Sequence, residues 1–245
     1  MSETRLESPM SSIHTVAETV STNDDVASLA RQGAPEGVWL RAGRQSGGRG
    51  RQGRGWHSPP GNLYASTLVR LRPDDPPAPT LALVAAVALH EVASAFTVTG
   101  VAIEIKWPND LLVAGAKLSG ILLERIDDSI VVGFGVNLAD HPDEADRPAI
   151  NMGMLGGAPD PGRFLDALAS SFARWVARWR EEGLGPVRER WLAAAHPPGT
   201  ALSTHTASGA RIEGVFDGLD ESGSLRLRLA DGSAHLVHAG DVFLL

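Results

Sequence analysis

One stretch organises this chain: Gly43-Arg44-Gln45-Ser46-Gly47-Gly48-Arg49-Gly50-Arg51-Gln52-Gly53-Arg54-Gly55-Trp56. It places four arginines among six glycines and ends on a tryptophan. Glycine lets backbone N–H groups approach a ligand closely, and arginine offers a planar, permanently charged group that matches carboxylate and phosphate. We therefore predict an anion-binding loop. We expect it not to fold by itself, because glycine is entropically unfavourable to order and the arginines repel one another.

Three familiar glycine-rich sites compete with this interpretation. Gly48-x-Gly50-x-x-Gly53 has the spacing of a dinucleotide-binding loop, but Pro59 and Pro60 follow it where a helix should begin. No Gly-Lys-Ser/Thr follows, which excludes a Walker loop. An arginine–glycine RNA-binding tract stays open as a weaker alternative, because the segment is short and the chain carries a net charge of −7.

Composition narrows the class of protein. The 245 residues are 43% hydrophobic and 21% charged, as in ordinary soluble globular proteins. Cysteine is absent, which excludes disulfides and thiolate catalysis and suits the cytoplasm. The first residues lack the pattern of a signal peptide, and the longest apolar run, residues 81–89, is too short to cross a bilayer. We expect a cytoplasmic protein that does not bind membranes.

Helix and strand signals alternate irregularly along the chain. Ser21 with Asp24 is typical of a helix start, residues 80–96 form an apolar and hence buried helix, and Pro161 opens an amphipathic helix that Gly183 ends. A shorter helix is expected at residues 186–195. Strands are expected at residues 13–20, 37–40, 63–71, 101–107, 111–113, 118–125 and 130–138, the last four as an antiparallel meander. Residues 141–162 carry no clear signal. The predicted fold class is α+β, with a mixed, mostly antiparallel sheet and packed helices.

A change of character divides the chain near its end. Pro197-Pro198-Gly199 marks a boundary, after which short strands alternate with turns over fewer than fifty residues. Such a segment predicts a small β-barrel. The expected organisation is a flexible leader at 1–12, a main domain at 13–196 and a C-terminal domain at 197–245.

The chain contains only two lysines against twenty arginines, and both lysines lie in short polar motifs. Lys106-Trp107-Pro108-Asn109-Asp110 ends a buried strand, so its amide and carboxylate should project from the rim of the sheet toward a base, a ribose or a metal. A turn after proline explains the same residues without a ligand. Lys117-Leu118-Ser119-Gly120 begins the next strand, and Gly120 within a strand favours close approach by a ligand. The two motifs should be neighbours in one site.

Together these segments resemble the bacterial biotin–protein ligases. Residues 48–56 resemble that family's GRGRxGRxW loop, residues 106–110 match its KWPND block and residues 117–122 its KLxGIL block. Ser21-Thr22-Asn23, Gln45 and residues 133–137 follow in the expected order. Gln52 departs from the basic residue of many members, at a variable position.

The resemblance implies a fold, a reaction and partners. The fold would be a class II synthetase-like catalytic domain with a C-terminal SH3-like barrel. Biotin and ATP, with Mg²⁺, would give biotinyl-5′-AMP, and biotin would pass to one lysine of a biotin carboxyl carrier protein. About a dozen residues precede the ligase core, so we expect the monofunctional type that binds no DNA and represses no transcription. Some members of the family dimerise, which leaves a homodimer open.

The resemblance also assigns residues to the substrates. Lys117 and Arg51 are the expected catalytic residues. Biotin would be bound by Ser21, Thr22, Asn23, Gln45, Arg49, Gly50, Arg51, Lys117 and Gly120. ATP and the adenylate would be bound by Arg54, Trp56, Asn109, Lys117 and Asn137, and Asp110 is the candidate for organising Mg²⁺.

Two rival functions stay open. A lipoate–protein ligase or octanoyltransferase resembles the same fold and reaction, but we expect it to lack the arginine–glycine loop and the KWPND block. A non-catalytic module that binds nucleotides or nucleic acid could be built on the same loop. Under the ligase hypothesis, residues 47–55 are mobile when empty and close over biotinyl-adenylate.

Overall fold

A seven-stranded sheet forms the centre of the molecule, for which a computed structural model describes residues 12–143, 148–205 and 209–245. In spatial order its strands are β1 (Ile13–Val16), β2 (Trp39–Ala42), β3 (Leu63–Arg70), β7 (Ser129–Val136), β6 (Ala116–Ile126), β5 (Asp110–Val113) and β4 (Glu104–Lys106). Strands β1 and β2 run parallel, and every other neighbouring pair is antiparallel. The predicted mixed, mostly antiparallel sheet and its β4–β7 meander are confirmed. Apart from Ser12, the predicted leader lies outside the described residues.

Helices cover both faces of this sheet. Helix α1 (Thr22–Arg31) packs on one face, and helices α2 (Leu81–Ala95), α3 (Pro161–Glu182) and α4 (Gly185–Ala194) belong to the larger core on the other. Because side chains alternate along a strand, Val131 faces α1 whereas Val132 faces the large core. In that core the Trp39 ring stacks on Phe134 at 5.6 Å. The helices start and end close to where the caps and prolines predict.

Helix α2 explains the most apolar stretch of the chain. The segment Ala78–Ala95 is long and apolar enough to cross a membrane by length and composition, which corrects the expectation drawn from the shorter run 81–89. The fold gives these side chains another environment, since 67% of that segment is buried inside the protein. It is therefore the predicted buried helix, packed against α3 and α4.

A second sheet of five antiparallel strands follows the predicted boundary. Its strands are β8 (Ala201–His205), β9 (Arg211–Leu219), β10 (Leu225–Arg228), β11 (Ala234–Val237) and β12 (Val242–Leu244), in the order β11-β10-β9-β8-β12. The indole N–H of Trp107 donates to the carbonyl of Gly223 at 3.1 Å, and the Trp191 and Phe216 rings lie 6.3 Å apart. The two sheets thus share one continuous apolar core. Closure into an SH3-like barrel and the division at residue 197 stay predictions.

Several segments differ from the expected elements. Strand β1 ends at Val16, short of the expected 13–20, because pairing continues there only as an isolated bridge between Thr19 and Gln45. Strand β2 covers Trp39–Ala42 instead of residues 37–40.

Strand β4 is shorter than the expected residues 101–107. The carbonyl of Ile103 accepts a hydrogen bond from the ring Nε2 of His90 (2.9 Å) instead of pairing with a neighbouring strand. Within residues 141–162, where no element was expected, Asn151 caps a short 3-10 helix, Met152–Leu155. Ala149 pairs with Lys117 as an isolated bridge, so this crossing segment runs beside the start of β6.

Candidate active site

A cavity of about 400 Å³ lies on the α1 side of the sheet. Its floor is a pair of glycines in register on neighbouring strands, Gly120 on β6 and Gly135 on β7. Trp56 packs directly on them, and a Cβ added to Gly135 would lie 2.5 Å from the indole Cε2. Glycine is therefore required at this position for the tryptophan to reach the sheet.

The fourteen residues that were assigned to substrates or metal all line this one cavity. They are Ser21, Thr22, Asn23, Gln45, Arg49, Gly50, Arg51, Arg54, Trp56, Asn109, Asp110, Lys117, Gly120 and Asn137. They come from α1, the arginine–glycine loop and strands β5 to β7, so the fold assembles what the sequence spreads over more than 110 positions. Their individual roles toward ligands stay predictions.

One end of the cavity is neutral and polar. The backbone N–H and the hydroxyl of Thr22 both donate to Oε1 of Gln45, at 2.8 and 3.1 Å. The Ser66 hydroxyl lies between Oγ1 of Thr22 (2.7 Å) and Oδ1 of Asn23 (2.6 Å). The Asn23 amide donates to Glu124 at 2.6 Å. This network holds donors and acceptors in fixed directions beside the N-terminus of α1, where Ser21 is the cap.

The arginine–glycine loop forms a short hairpin that is bound from outside the loop. That it does not fold by itself, and that residues 47–55 are mobile when empty, stay predictions. Arg49 and Gly55 pair as an antiparallel bridge, and the N–H of Gly50 donates to the carbonyl of Arg54 at 2.7 Å. Gln52 takes the left-handed conformation (φ 58°) at the tip. The repulsion between the arginines is relieved because carboxylates outside the loop bind them.

Arg49 has its partners on the main sheet and on α1. Its guanidinium donates two hydrogen bonds to Asp24, at 2.8 and 2.6 Å, and lies 3.6 Å from Glu124. The hydrogen bonds between Asp24 and Arg49 lower the pKa of Asp24 and raise that of Arg49. This bidentate pair fixes the first arm of the loop against the helix.

Arg51 and Arg54 have their partners on the C-terminal sheet. Nη2 of Arg54 donates to Oδ2 of Asp241 at 2.8 Å, and Nη1 of Arg51 lies 3.4 Å from Oδ1 of the same carboxylate. Arg51 also donates to the carbonyl of Gly240 at 2.8 Å. The second arm of the loop is thus held by the last turn before β12.

The two lysines meet at one carboxylate, as the hairpin geometry predicts. Nζ of Lys117 lies 2.8 Å from Asp110 and 5.5 Å from the centre of the Trp56 ring. Nζ of Lys106 lies 3.6 Å from Asp110. Burial lowers the pKa of Lys106, although the charge of Asp110 opposes this effect. Asp110 thus aims Lys117 into the cavity while partly neutralising it.

Asn109 and Asn137 bind backbone carbonyl groups, and for Asn109 this differs from the expectation of a group that projects from the rim. Asn109 is buried, and its amide donates across to the carbonyl of Ile121 instead of projecting from the rim. The amide of Asn137 donates to the carbonyls of Lys117 (3.3 Å) and Ile150 (3.2 Å). Both side chains therefore fix the backbone around the cavity. Contact with the adenine is an additional role that stays a prediction for each of them.

The residues present do not form a metal site of their own. No cluster of three or more potential ligands (histidine, aspartate or glutamate) occurs among the described residues. Asp110, the candidate for Mg²⁺, is bound by two ammonium groups, which compete with a cation. Mg²⁺ commonly binds through one or two carboxylates together with substrate phosphates. A role for Asp110 toward a magnesium–nucleotide complex stays a prediction.

Comparison with known proteins agrees with this geometry. Residues 17–138 match the model of the biotin/lipoate A/B protein ligase family, and residues 206–245 match that of the biotin protein ligase C-terminal domain. The biotin–[acetyl-CoA-carboxylase] ligase of Paracoccus denitrificans is 41% identical over 241 residues, covering 93% of this chain and 98% of the relative. The chain belongs to the biotin protein ligases. The ligase of the same name from Mycobacterium tuberculosis is 34% identical, over 93% of this chain and 86% of the relative.

The fold of the ligase chain is also found in a solved structure. The biotin protein ligase of Aquifex aeolicus, in complex with biotin and ATP, superposes with a TM-score of 0.85. The match covers 96% of this chain and 99% of that chain, at 24% identity. It establishes the shared fold, including the second sheet.

Several residues that line this ligase cavity or hold its lining in place were missed by the sequence analysis. Asp24, Glu124 and Asp241 bind the loop arginines, and Ser66 connects Thr22 with Asn23. Asp24 was used only as a helix-start signal. A surplus of arginine in one loop implies that carboxylates lie nearby, but it does not say which ones, since their positions depend on how distant strands pack.

Proposed function

We propose that this cavity is where biotin is activated by ATP and from which biotin is passed to a lysine of a carrier protein. The chain is an ATP-dependent biotin protein ligase, as its family and its overall similarity to named biotin–[acetyl-CoA-carboxylase] ligases establish. The new elements of the proposal are the roles of individual residues. We place the reaction in the cytoplasm, because a chain without cysteine has no disulfides and is compatible with a reducing compartment.

The observation that carries the proposal is the polarity of the cavity. One end offers neutral donors and acceptors from Thr22, Asn23 and Gln45, and the other end is cationic. The cationic end contains Arg51, Arg54, Lys106 and Lys117 with the carboxylates of Asp110 and Asp241, whereas Arg49 lies beside α1 in its ion pair with Asp24. Biotin has a neutral polar ring system that matches the neutral end. Its carboxylate and the triphosphate of ATP are anions that match the cationic end.

The first half-reaction joins those two ligand groups. A carboxylate oxygen of biotin attacks the α-phosphorus of ATP, an acyl–phosphate bond forms, and the bond to the bridging oxygen breaks to release pyrophosphate. Arg51, Arg54 and Lys117 reduce the repulsion between carboxylate and triphosphate and stabilise the added charge of the transition state. Both nucleophiles of the overall reaction belong to substrates, so the enzyme needs no nucleophilic side chain.

The second half-reaction uses the same cations. The unprotonated ε-amine of the carrier lysine attacks the acyl carbon of biotinyl-5′-AMP, an amide forms, and AMP leaves. Lys117 would donate to the group on which charge develops in each of the two half-reactions. Closure of residues 47–55 over the adenylate would exclude water until the amine arrives.

The neutral end of the cavity favours biotin over lipoate. The ureido group of biotin carries both N–H donors and a carbonyl acceptor, which the amide and hydroxyl groups of Asn23, Gln45 and Thr22 can satisfy. The dithiolane ring of lipoate has no comparable hydrogen-bonding group, so it would form no such hydrogen bonds with these side chains, which would keep only the bonds they make within the protein. The structure thereby supports the ligase hypothesis against its nearest rival.

The proposal is tested with radiolabelled biotin, ATP and a purified acetyl-CoA carboxylase carrier domain. We expect label on one carrier lysine, dependent on ATP, together with biotin-dependent exchange of pyrophosphate into ATP. A parallel titration with lipoate should give no binding heat. Tight lipoate binding without biotin binding would support the lipoate ligase, whereas nucleotide binding with no labelled carrier would support the non-catalytic module.

A further inference from the structure

The last turn of the C-terminal sheet contributes a carboxylate to the cationic end of the cavity. Asp241 precedes β12 and lines the cavity with a side chain that is only 18% exposed. Its carboxylate lies 2.8 Å from Arg54, which is 187 positions away in the sequence, and 3.4 Å from Arg51. Two guanidinium groups therefore converge on one carboxylate.

This arrangement is the one that a phosphate group requires. Guanidinium groups bind carboxylate and phosphate with the same planar geometry, so the two anions compete for them. The competition is between one negative charge on Asp241 and the several charges of a triphosphate. A nucleotide whose phosphates reach Arg51 and Arg54 must displace Asp241 or accept its repulsion.

The aspartate can give up these contacts without a rearrangement of its own backbone. The Thr204 hydroxyl donates to the carbonyl of Asp241 at 2.9 Å, and the following strand β12 pairs with β8. The backbone of Asp241 is thus held by the C-terminal sheet. A rotation of the carboxylate is sufficient to release Arg54 and to break the ion pair with Arg51, which keeps its hydrogen bond to the carbonyl of Gly240 until the hairpin moves. Both arginines belong to a short, glycine-rich hairpin that can move with the phosphates.

We propose that Asp241 is a positioning residue that exchanges with the nucleotide phosphates for Arg51 and Arg54. With no nucleotide bound, it holds the hairpin against the C-terminal sheet and keeps the two arginines aligned at the mouth of the cavity. After adenylate formation it recaptures them, which promotes release of pyrophosphate and holds the hairpin against the C-terminal sheet again, beside biotinyl-5′-AMP. This inference rests on the proposed assignment of Arg51 and Arg54 to phosphates.

The test compares Asp241→Asn with Asp241→Glu and with a control, Asp217→Asn. Asp217 lies on the same sheet and pairs with Arg226, away from the cavity. Binding of pyrophosphate, of a non-hydrolysable ATP analogue and of biotin is measured by calorimetry. In Asp241→Asn we expect the dissociation constants of pyrophosphate and the analogue to fall about fivefold, because a competing anion of ion-pair strength is removed, while that of biotin is unchanged.

The remaining variants separate charge from shape. Asp241→Glu should return the two phosphate-ligand constants toward those of the unmodified chain, and Asp217→Asn should leave them unchanged. Asp241→Asn should also release biotinyl-5′-AMP faster, as measured by trapping of free adenylate. Weaker or unchanged binding of both phosphate ligands in Asp241→Asn would overturn the exchange and leave Asp241 a structural tie.

A measurement on the unmodified chain keeps the proposal falsifiable if Asp241→Asn does not fold. In a crystal of the chain with biotin and the ATP analogue, the carboxylate of Asp241 should lie beyond 4 Å from both guanidinium groups, the cut-off used for ion pairs. Retention of both contacts beside bound phosphates would overturn the inference. A chain that binds biotin but no ATP analogue would instead refute the proposed function itself, so the two failures are distinguishable.

Discussion

At the scale of single residues, the site depends on cations whose charge is partly neutralised by neighbouring carboxylates. Arg49 pairs with Asp24, Lys117 with Asp110, and both Arg51 and Arg54 with Asp241. These ion pairs are partly exposed, so each contributes little to stability. The main effect of these ion pairs is to orient long side chains before a substrate arrives.

Lys117→Ala should reduce biotin-dependent exchange of pyrophosphate into ATP by about 100-fold or more, the range found for loss of one transition-state donor. The loss has two causes: an ammonium group disappears, and the carboxylate of Asp110 is left to repel the triphosphate. Biotin affinity should fall far less than the exchange rate.

The matched control for Lys117→Ala is Arg125→Ala, which removes an exposed cation from the same strand. It should exchange pyrophosphate at the rate of the unmodified chain. If Lys117→Ala exchanged pyrophosphate at a rate within about threefold of the unmodified chain, the loss would be less than one decade of rate. Lys117 would then not be a catalytic residue.

At the scale of elements, the site requires glycine on strands that are otherwise rich in large apolar residues. Gly133 and Gly135 on β7 leave room for Asn23 and Trp56, whereas Phe134 between them points into the large core. The alternation of a strand therefore puts a substrate-binding surface on one side and hydrophobic packing on the other. One strand serves both the core and the cavity.

Gly133→Ala should raise the dissociation constant of biotin by at least about tenfold, the effect of overpacking by one methyl group. An added Cβ would overlap Oδ1 of the Asn23 side-chain amide and push that side chain away from Ser66 and Glu124. Calorimetry measures the binding, and thermal unfolding checks that the fold is retained.

Gly185→Ala is the control for this substitution. Its added Cβ would meet no atom within 4 Å, at the first residue of α4. Biotin binding should be unchanged there. If Gly133→Ala bound biotin normally, the network around Asn23 would not be part of the biotin site.

At the scale of the whole molecule, long-range ion pairs connect the helical layer to the sheet. Arg180 on α3 donates to both oxygens of Glu36, at 2.6 and 2.8 Å, and Oε2 of Glu36 accepts from the backbone of Arg70 at 2.9 Å. Burial raises the pKa of Glu36, but the hydrogen bonds from Arg180 and Arg70 outweigh it. The pKa is therefore lowered from 4.5.

This lowered pKa predicts how stability depends on pH. A carboxyl with a lower pKa in the folded state stabilises the fold above its unfolded pKa and loses that contribution as the pH falls through the folded pKa. Glu36→Gln should lower the free energy of unfolding by about 1–2 kcal/mol at pH 7. The difference should begin to shrink as the pH falls below 4.5 and approach zero at lower pH.

Urea unfolding of the two proteins across this pH range measures the effect. Glu182→Gln is the control, because its pair with Arg178 is exposed on one helix and should contribute little at any pH. A difference for Glu36→Gln that is the same at pH 3 and pH 7 would show that shape, and not charge, is responsible.

The sequence by itself determined the kinds of element, their order and the fourteen candidate residues of the cavity. Capping serines, prolines and glycines act on their immediate neighbours, so the helix starts and the β4–β7 meander could be predicted from a few positions at a time. The ordered motifs carry the resemblance to the family, and that resemblance supplied all fourteen candidate residues, which the fold brings to one cavity.

Only the tertiary structure decided which groups those residues meet. Arg54 and Asp241 are 187 positions apart, and Asn23 and Glu124 are 101 apart, with no local signal to connect them. The folded hairpin of the arginine–glycine loop follows from the same contacts, since local composition predicted repulsion and only distant carboxylates relieve it. Ion-pair partners are chosen by the packing of two sheets and a helix, which no short stretch of sequence encodes.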